Sequence, residues 1–144
     1  MKILKWVGGI ILVLVVIGLV AGPDDTTAEQ SAEATPQAVA SLPEVSAMDI
    51  AAAYHENTVS ADMRFKDQRF KVSGTVAEIN TNFMGDPYIT MRGGVNEFME
   101  PQFEFDKSAM QQLAGFKKGM KVTLRCTGRG DVAKTPMSND CTIL

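Results

Sequence analysis

The sequence predicts a mainly β fold with helices: a small five-stranded barrel in the order β-β-β-α-β-β. A helix, a flexible linker and an apolar N-terminal segment precede the barrel. Three observations carry this reading. The run Arg69 to Ile79 (RFKVSGTVAEI) alternates apolar and polar residues, holds a glycine in mid-run and slips phase near Ala77. Such a pattern marks a long strand bent by a bulge, the device by which a small barrel turns its corner. Two short alternating runs, a helical stretch and two further β runs follow it. The composition also changes abruptly after residue 22 and again near residue 45.

Residues 6–22 (WVGGIILVLVVIGLVAG) carry no charge, with Lys2 and Lys5 before them and Asp24 and Asp25 after. At 1.5 Å per residue such a helix spans roughly 25 Å, the lower limit for crossing a bilayer. The lysines favour the cytoplasmic side, so the rest of the chain is expected outside. Residues 1–22 are therefore read as a transmembrane anchor, with a cleaved secretory signal as the alternative. Thr26-Thr27-Ala28 and Ala32-Glu33-Ala34 are the small-residue sites such cleavage would use, and no cysteine follows the apolar run closely enough for lipoprotein acylation. Residues 23–44 (PDDTTAEQSAEATPQAVASLPE) hold no aromatic residue and too little apolar surface to offset the entropy of ordering. They are expected to be a disordered linker.

The domain is placed at 45–144. The whole chain carries 14 Lys+Arg and 17 Asp+Glu, a net charge of −3. Setting aside Lys2 and Lys5, and Asp24, Asp25, Glu29, Glu33 and Glu44, leaves 12 cations and 12 acids in the domain. A neutral domain has no global field with which to draw in an anion, so steering must come from a local patch.

Ser46 is the expected N-cap of a helix, with Asp49 three residues on closing a near capping box. Ile50, Tyr54, Val59 and Ala61 form its apolar stripe. The helix either runs to about Arg64 or breaks at Asn57-Thr58 and restarts. After the bent strand, Asn80 to Asp86 has turn chemistry, Pro87 to Arg92 is a second strand, and Gly93-Gly94 ends it. Gln102 to Asp106 is a third strand with Phe103 and Phe105 on one face. Ser108 to Phe116 is a short helix capped by Ser108, with Ala109, Met110, Leu113 and Phe116 facing inward. Lys117 and Lys118 follow it at the negative end of the helix dipole. Lys121 to Gly128 and Ser138 to Leu144 are the last two strands, joined by a loop bearing Gly and Pro.

This order is that of an OB-fold. The pattern Tyr54-x-x-Asn57-x-x-x-Ala61-Asp62-x-x-Phe65-Lys66, then Val72-x-Gly74-x-Val76-x-x-Ile79, resembles the tRNA_anti-like family of membrane-anchored or lipoprotein OB-fold domains. Leu113, Lys118-Gly119-x-x-Val122, Gly128 and Asp140-Cys141-x-Ile143 continue it downstream. It spans nearly all of 46–144, and departs where relatives have Gly-Lys and this chain has Asp67-Gln68. The resemblance implies an OB-fold and supplies no catalytic residues; fold alone licenses no function.

Cys126 and Cys141 fall in strands that pair antiparallel in this topology. With the connecting loop centred near Ala133-Lys134 the two are opposite each other, which permits a disulfide. Such a bridge suits an exported domain. A C-x-x-C redox pair is absent.

An OB barrel binds along its second and third strands and the loops beside them. Phe83, Tyr88 and Arg92 fall there, with Arg69 and Lys71 on the first strand as neighbours. Aromatic rings that stack and cations that pair are what such a groove uses. Other candidates have plainer readings. Tyr54 packs the helix on the barrel, while Asn57 and Asp62 fix the turn and caps. His55, the single histidine, is expected exposed, and one histidine with two cysteines cannot complete a structural zinc site. Glu97, Glu100, Glu104 and Asp106 lack the spacing of a calcium loop and are expected on a solvated face. The nine methionines do not cluster for copper and fill core gaps. Arg129-Gly130-Asp131 matches an adhesion tripeptide too short to carry weight.

The functional expectation is an exported, membrane-tethered binding module of the cell envelope, with no catalysis, metal or cofactor. Its ligand would be an envelope protein, a glycan or a small molecule. Its place would be the cytoplasmic membrane with the domain outside, or the exterior after signal cleavage. The alternative is a nucleic-acid-binding OB domain, against which export and neutrality both argue.

Overall fold

The structure, a computed structural model, describes residues 41–144. The expected anchor (1–22) and the expected linker up to residue 40 lie outside the described residues. No helix among the described residues is long and apolar enough to cross a membrane.

Glu44–Ser46 form β1, a strand absent from the predicted elements, which pairs in parallel with the bent strand (Val45 beside Val72). Glu44, at the end of the expected linker, is thus already part of the sheet. The capping box at Ser46 opens α1 (Ala47–Glu56): the Ser46 hydroxyl accepts from the Asp49 N–H at 3.0 Å, and the Asp49 carboxylate accepts from the Ser46 N–H at 3.2 Å. Hydrogen bonds from the Ser46 side chain and then its backbone hold the Asp49 carboxyl below its usual range. The helix breaks at Asn57, one of the two expected alternatives. Asn57 is extended (φ −156°), and its side chain accepts from the Ser60 N–H at 3.1 Å to cap α2 (Thr58–Phe65).

β2 (Arg69–Thr81) skips one register position between Val76 and Glu78, at the expected phase slip. Its first half pairs with β5 (Lys121–Val132) and its second with β3 (Pro87–Met91). β4 (Gln102–Glu104) pairs with β3 and, in parallel, with β6 (Thr135–Ile143). β5 pairs with β6, so β2-β3-β4-β6-β5 closes as a five-stranded barrel accompanied by three α-helices among the described residues. Phe70, Val72, Val76, Ile89, Met91, Phe103 and Leu124 fill it. Gly74 lets α1 lie close, because a Cβ there would stand 2.6 Å from Met91 Sδ and 3.0 Å from Ala47 Cβ. The Asp67-Gln68 turn, where the chain departs from the family pattern, closes onto β5. The Asp67 N–H donates to the Gly128 carbonyl at 2.9 Å, and Gly128 leaves no room for a side chain against the Phe65 carbonyl.

Two predictions at the C-terminal end need correction. The helix expected over Ser108–Phe116 is a 3₁₀ turn (Lys107–Ala109) followed by one turn of α-helix, α3 (Met110–Leu113). Its cap is Asp106, not Ser108: the Asp106 carboxylate accepts from the Ser108 N–H at 2.8 Å. That bond and the Ser108 side chain hold the Asp106 carboxyl below its usual range. With only one turn, α3 buries Leu113 and leaves Met110, expected inward, 41% exposed. Secondly, the last two strands run further than predicted: β5 continues past Gly128 to Val132 and β6 begins at Thr135, so Gly130 and Pro136 lie in strands rather than in a loop. A register skip between Gly128 and Gly130 accommodates Arg129 as a bulge, a second skip falls between Arg125 and Thr127, and Pro136 pairs regularly with Asp131. The remaining loop is the pair Ala133-Lys134, both at positive φ (50° and 67°), as a type I′ hairpin turn requires. Centred there, the hairpin sets Cys126 opposite Cys141, and the two form a disulfide with Cα atoms 4.2 Å apart.

Candidate binding face

The pleat of β3 turns Pro87, Ile89 and Met91 into the barrel and Tyr88, Thr90 and Arg92 outward. Across from this row, register places Asn80 and Glu78 on β2 and Glu104 and Gln102 on β4. Together they make an outward strip of polar and charged side chains around one tyrosine.

The loop before β3 is built on Asn82. Its side-chain oxygen accepts from the Met84 and Asp86 N–H groups, both at 2.9 Å. Its amide nitrogen donates to the Asp86 carboxylate at 3.3 Å and to Glu104 at 3.2 Å. With Asn82 turned inward, Phe83 at the tip is 98% exposed. The loop after β3 carries Phe98, 85% exposed, at the other end of the strip. Here Arg92, Glu78, Glu97, Phe98 and Glu100 line a groove of about 470 Å³. Burial raises the Glu100 carboxyl above its usual range; Arg92 opposes this, and Glu78 and Glu97 add to it. Glu78 is held below its usual range, first by Lys118, whose ammonium donates to it at 2.9 Å, and then by Asn80.

Of the five residues singled out in the sequence, Phe83, Tyr88 and Arg92 therefore share this side of the barrel. Arg69 and Lys71 do not. They project from the first half of β2, where the neighbouring strand is β5 and the facing residues are Thr127 and Arg125. The bend that makes β2 serve both halves of the barrel also sends its two halves to different surfaces.

Several contributors were missed. Glu104, read as part of a solvated acidic face, is half-buried between Asn82 and Arg129, the latter 3.7 Å away. Arg129 belongs to the adhesion tripeptide, which lies in the bulged part of β5. There the Asp131 carboxylate accepts from the Lys134 N–H at 2.6 Å. The expected acidic run is dispersed: Glu97 and Glu100 go to the groove, Glu104 to the strip and Asp106 to a cap. Among the described residues no group of His, Cys, Asp or Glu is placed to hold a metal ion. Tyr54 is buried and donates to the Asp62 carboxylate at 3.1 Å. His55 is exposed, and its carbonyl accepts from the Lys134 ammonium at 2.9 Å.

A closed five-stranded barrel with a helical turn between its third and fourth strands defines an OB-fold domain. The tRNA_anti-like family model matches residues 1–142, and the chain belongs to that family. Among solved structures it is similar to a lipoprotein of Klebsiella pneumoniae subsp. pneumoniae proposed to bind nucleic acid. The two share 19% identity and superpose with a TM-score of 0.59, over 76% of this chain and 97% of that one. At that identity the likeness is one of fold. No curated protein sequence matches this chain.

Proposed function

We propose that this chain is an exported, membrane-tethered OB-fold module that binds a component of the cell envelope and catalyses nothing. The observation that carries the binding role is the outward strip of β3, with two exposed phenyl rings, Phe83 and Phe98, at its ends. Exposed rings beside hydrogen-bonding side chains are costly to leave in water and are the usual mark of a contact surface. Its carboxylates (Glu78, Asp86, Glu97, Glu100, Glu104) offset its cations (Arg92, Lys107, Lys118, Arg129), which disfavours a polyphosphate and suits a protein, a glycan or a small neutral ligand. The disulfide between β5 and β6 and the charge pattern of residues 1–25 support an oxidising compartment outside the cytoplasmic membrane.

The test is the intact mass of the native protein, alkylated before and after reduction, taken from membrane and soluble fractions. Cysteines blocked until reduction, on a membrane-bound chain that keeps residues 1–22, are expected. Thiols that alkylate freely without reduction would overturn the exported reading.

Nucleic acid is the second reading, favoured by the description of the Klebsiella relative. It predicts oligonucleotide binding whose affinity falls steeply with salt. On the preferred reading no such binding is measured.

A further inference from the structure

We propose that the surface of the barrel away from the β3 strip docks onto anionic phospholipid headgroups of the membrane that tethers the chain. This rests on the tethered reading above.

The argument begins with the alternation of β2 and β5. Phe70, Val72, Leu124 and Cys126 point into the core, so Arg69 and Lys71 on one strand and Lys121 and Arg125 on the other point out. Register sets Lys71 beside Arg125, while Arg69 faces Thr127 and Lys121 faces Thr75. None of the four cations forms an ion pair among the described residues, as is also true of Arg64, Arg92, Lys117 and Lys134, while Lys66, Lys107, Lys118 and Arg129 are each paired with an acid. Arg125 Nε is buried without a hydrogen-bond partner. The acids nearest in register are Glu44, beside Lys71, and the exposed Asp140 at the rim. The other outward groups are hydroxyls, Ser73 and Thr123 among them, 3.0 Å apart.

At its far end this cationic row meets an open apolar groove of about 690 Å³ between Phe116, Met120, Val122, Ile143 and Leu144. Met120 and Leu144 are 39% and 59% exposed. Cations with hydroxyls on one part and apolar side chains on the next match the layered chemistry of a lipid surface, phosphate above and acyl chain below. Nucleic acid fits less well. The row itself carries no aromatic ring on which a base could stack; the groove at its end offers the partly buried Phe116 alone, and the largely exposed rings lie on the β3 side.

The position of the linker argues the same way. The chain enters the sheet at β1, where Glu44 pairs with Lys71 and the Pro43 carbonyl accepts from the Lys71 N–H at 2.9 Å. Residues 23–43 lie between the expected anchor and the edge of this face, a length of chain that lets this side of the barrel reach the bilayer.

The experiment uses the full chain with phosphatidylcholine vesicles and with vesicles of phosphatidylcholine and phosphatidylglycerol. Flotation reports tethering, and an amine-reactive reagent with mass spectrometry reports the exposure of each lysine. The chain is expected to float with both vesicles. Lys71 and Lys121 should react at least about fivefold more slowly on the anionic vesicles, while Lys134 is unchanged, and high salt should abolish the difference. Flotation with both vesicles but equal lysine reactivity would overturn the docking and leave the tether standing. Flotation with anionic vesicles alone, with the same protection, would uphold the docking and overturn the tether. No flotation with either overturns both. Protection of Lys71 and Lys121 by an added single-stranded oligothymidylate, and not by phosphatidylglycerol, would assign the face to nucleic acid.

Discussion

Tyr54 shows how one side chain joins helix to barrel. It is 1% exposed, its ring centroid lies 6.2 Å from that of Phe65, and Phe65 meets Phe70 edge-on at 5.7 Å. Its hydroxyl ends on Asp62. Burial, and then the hydrogen bond to that carboxylate, raise the Tyr54 phenol far above its ordinary value of 10.0. A raised folded-state value means that the folded protein keeps this proton when the unfolded chain has lost it. The stability involved is therefore whole below pH 10 and lost as the pH climbs beyond it. Tyr54→Phe removes the hydrogen bond while keeping the ring, and should cost about 1 kcal/mol near neutrality. Urea unfolding at neutral and alkaline pH checks both points, since the gap between wild type and variant should shrink as the pH is raised above 10. A gap that stays constant would mean that Tyr54 is not held as the un-ionised phenol.

At the scale of elements, the β5–β6 hairpin rests on two residues poorly suited to their turn. Ala133 and Lys134 both take positive φ, where a Cβ is penalised and Asn-Gly is preferred. The double substitution A133N/K134G should stabilise the domain by about 1 kcal/mol, with a matching rise in the thermal midpoint. It forfeits the exposed bond from Lys134 to the His55 carbonyl, and a fall in the midpoint would show that this bond outweighs the turn. The same hairpin explains what the sequence makes legible. Alternation in RFKVSGTVAEI locates β2 and its bulge, and cysteine spacing about the loop centre places the disulfide, because both are local patterns. Gly130 reads as a loop residue because a bulge uses the same residue types as a turn, and Pro136 because proline is rare within a strand. β1 is hidden for another reason: three residues cannot display a period, and their pairing partners Lys71–Ser73 lie far along the chain. The candidate site divides in the same way. Tyr88 on β3 and Arg92 just past its end alternate in one local run, so their common face is legible in the sequence. The contacts of Asn82, Glu104 and Arg129 form only when the barrel closes, and nothing in the neighbouring residues announces them.

The barrel as a whole is closed by seams of unequal strength. β2 and β5 share seven register pairs from Arg69↔Thr127 to Thr75↔Lys121, whereas β4 and β6 share two, Gln102↔Met137 and Phe103↔Ser138. Local opening follows the weakest seam, so the amides that donate across the β4–β6 pairing should exchange with solvent before those of Phe70 to Gly74. The disulfide decides how far such an opening spreads. By tying β6 to β5 within the register shift between Arg125 and Thr127, it confines opening to the β4 edge while β5–β6 stays paired. Closing a loop with a sequence separation of 15 also contributes about 3 kcal/mol through the unfolded chain. In C126S/C141S the global stability should fall by about that amount, and protection should be lost along all of β6 rather than at its β4 side alone. Hydrogen exchange read by mass spectrometry, with and without reduction, separates the two effects. A uniform loss of protection across β2, β5 and β6 would mean that the bridge acts only on the unfolded state. A loss concentrated in β6 would mean that it also holds one wall of the β3–β4 face, to which Arg129 on β5 is joined through Glu104.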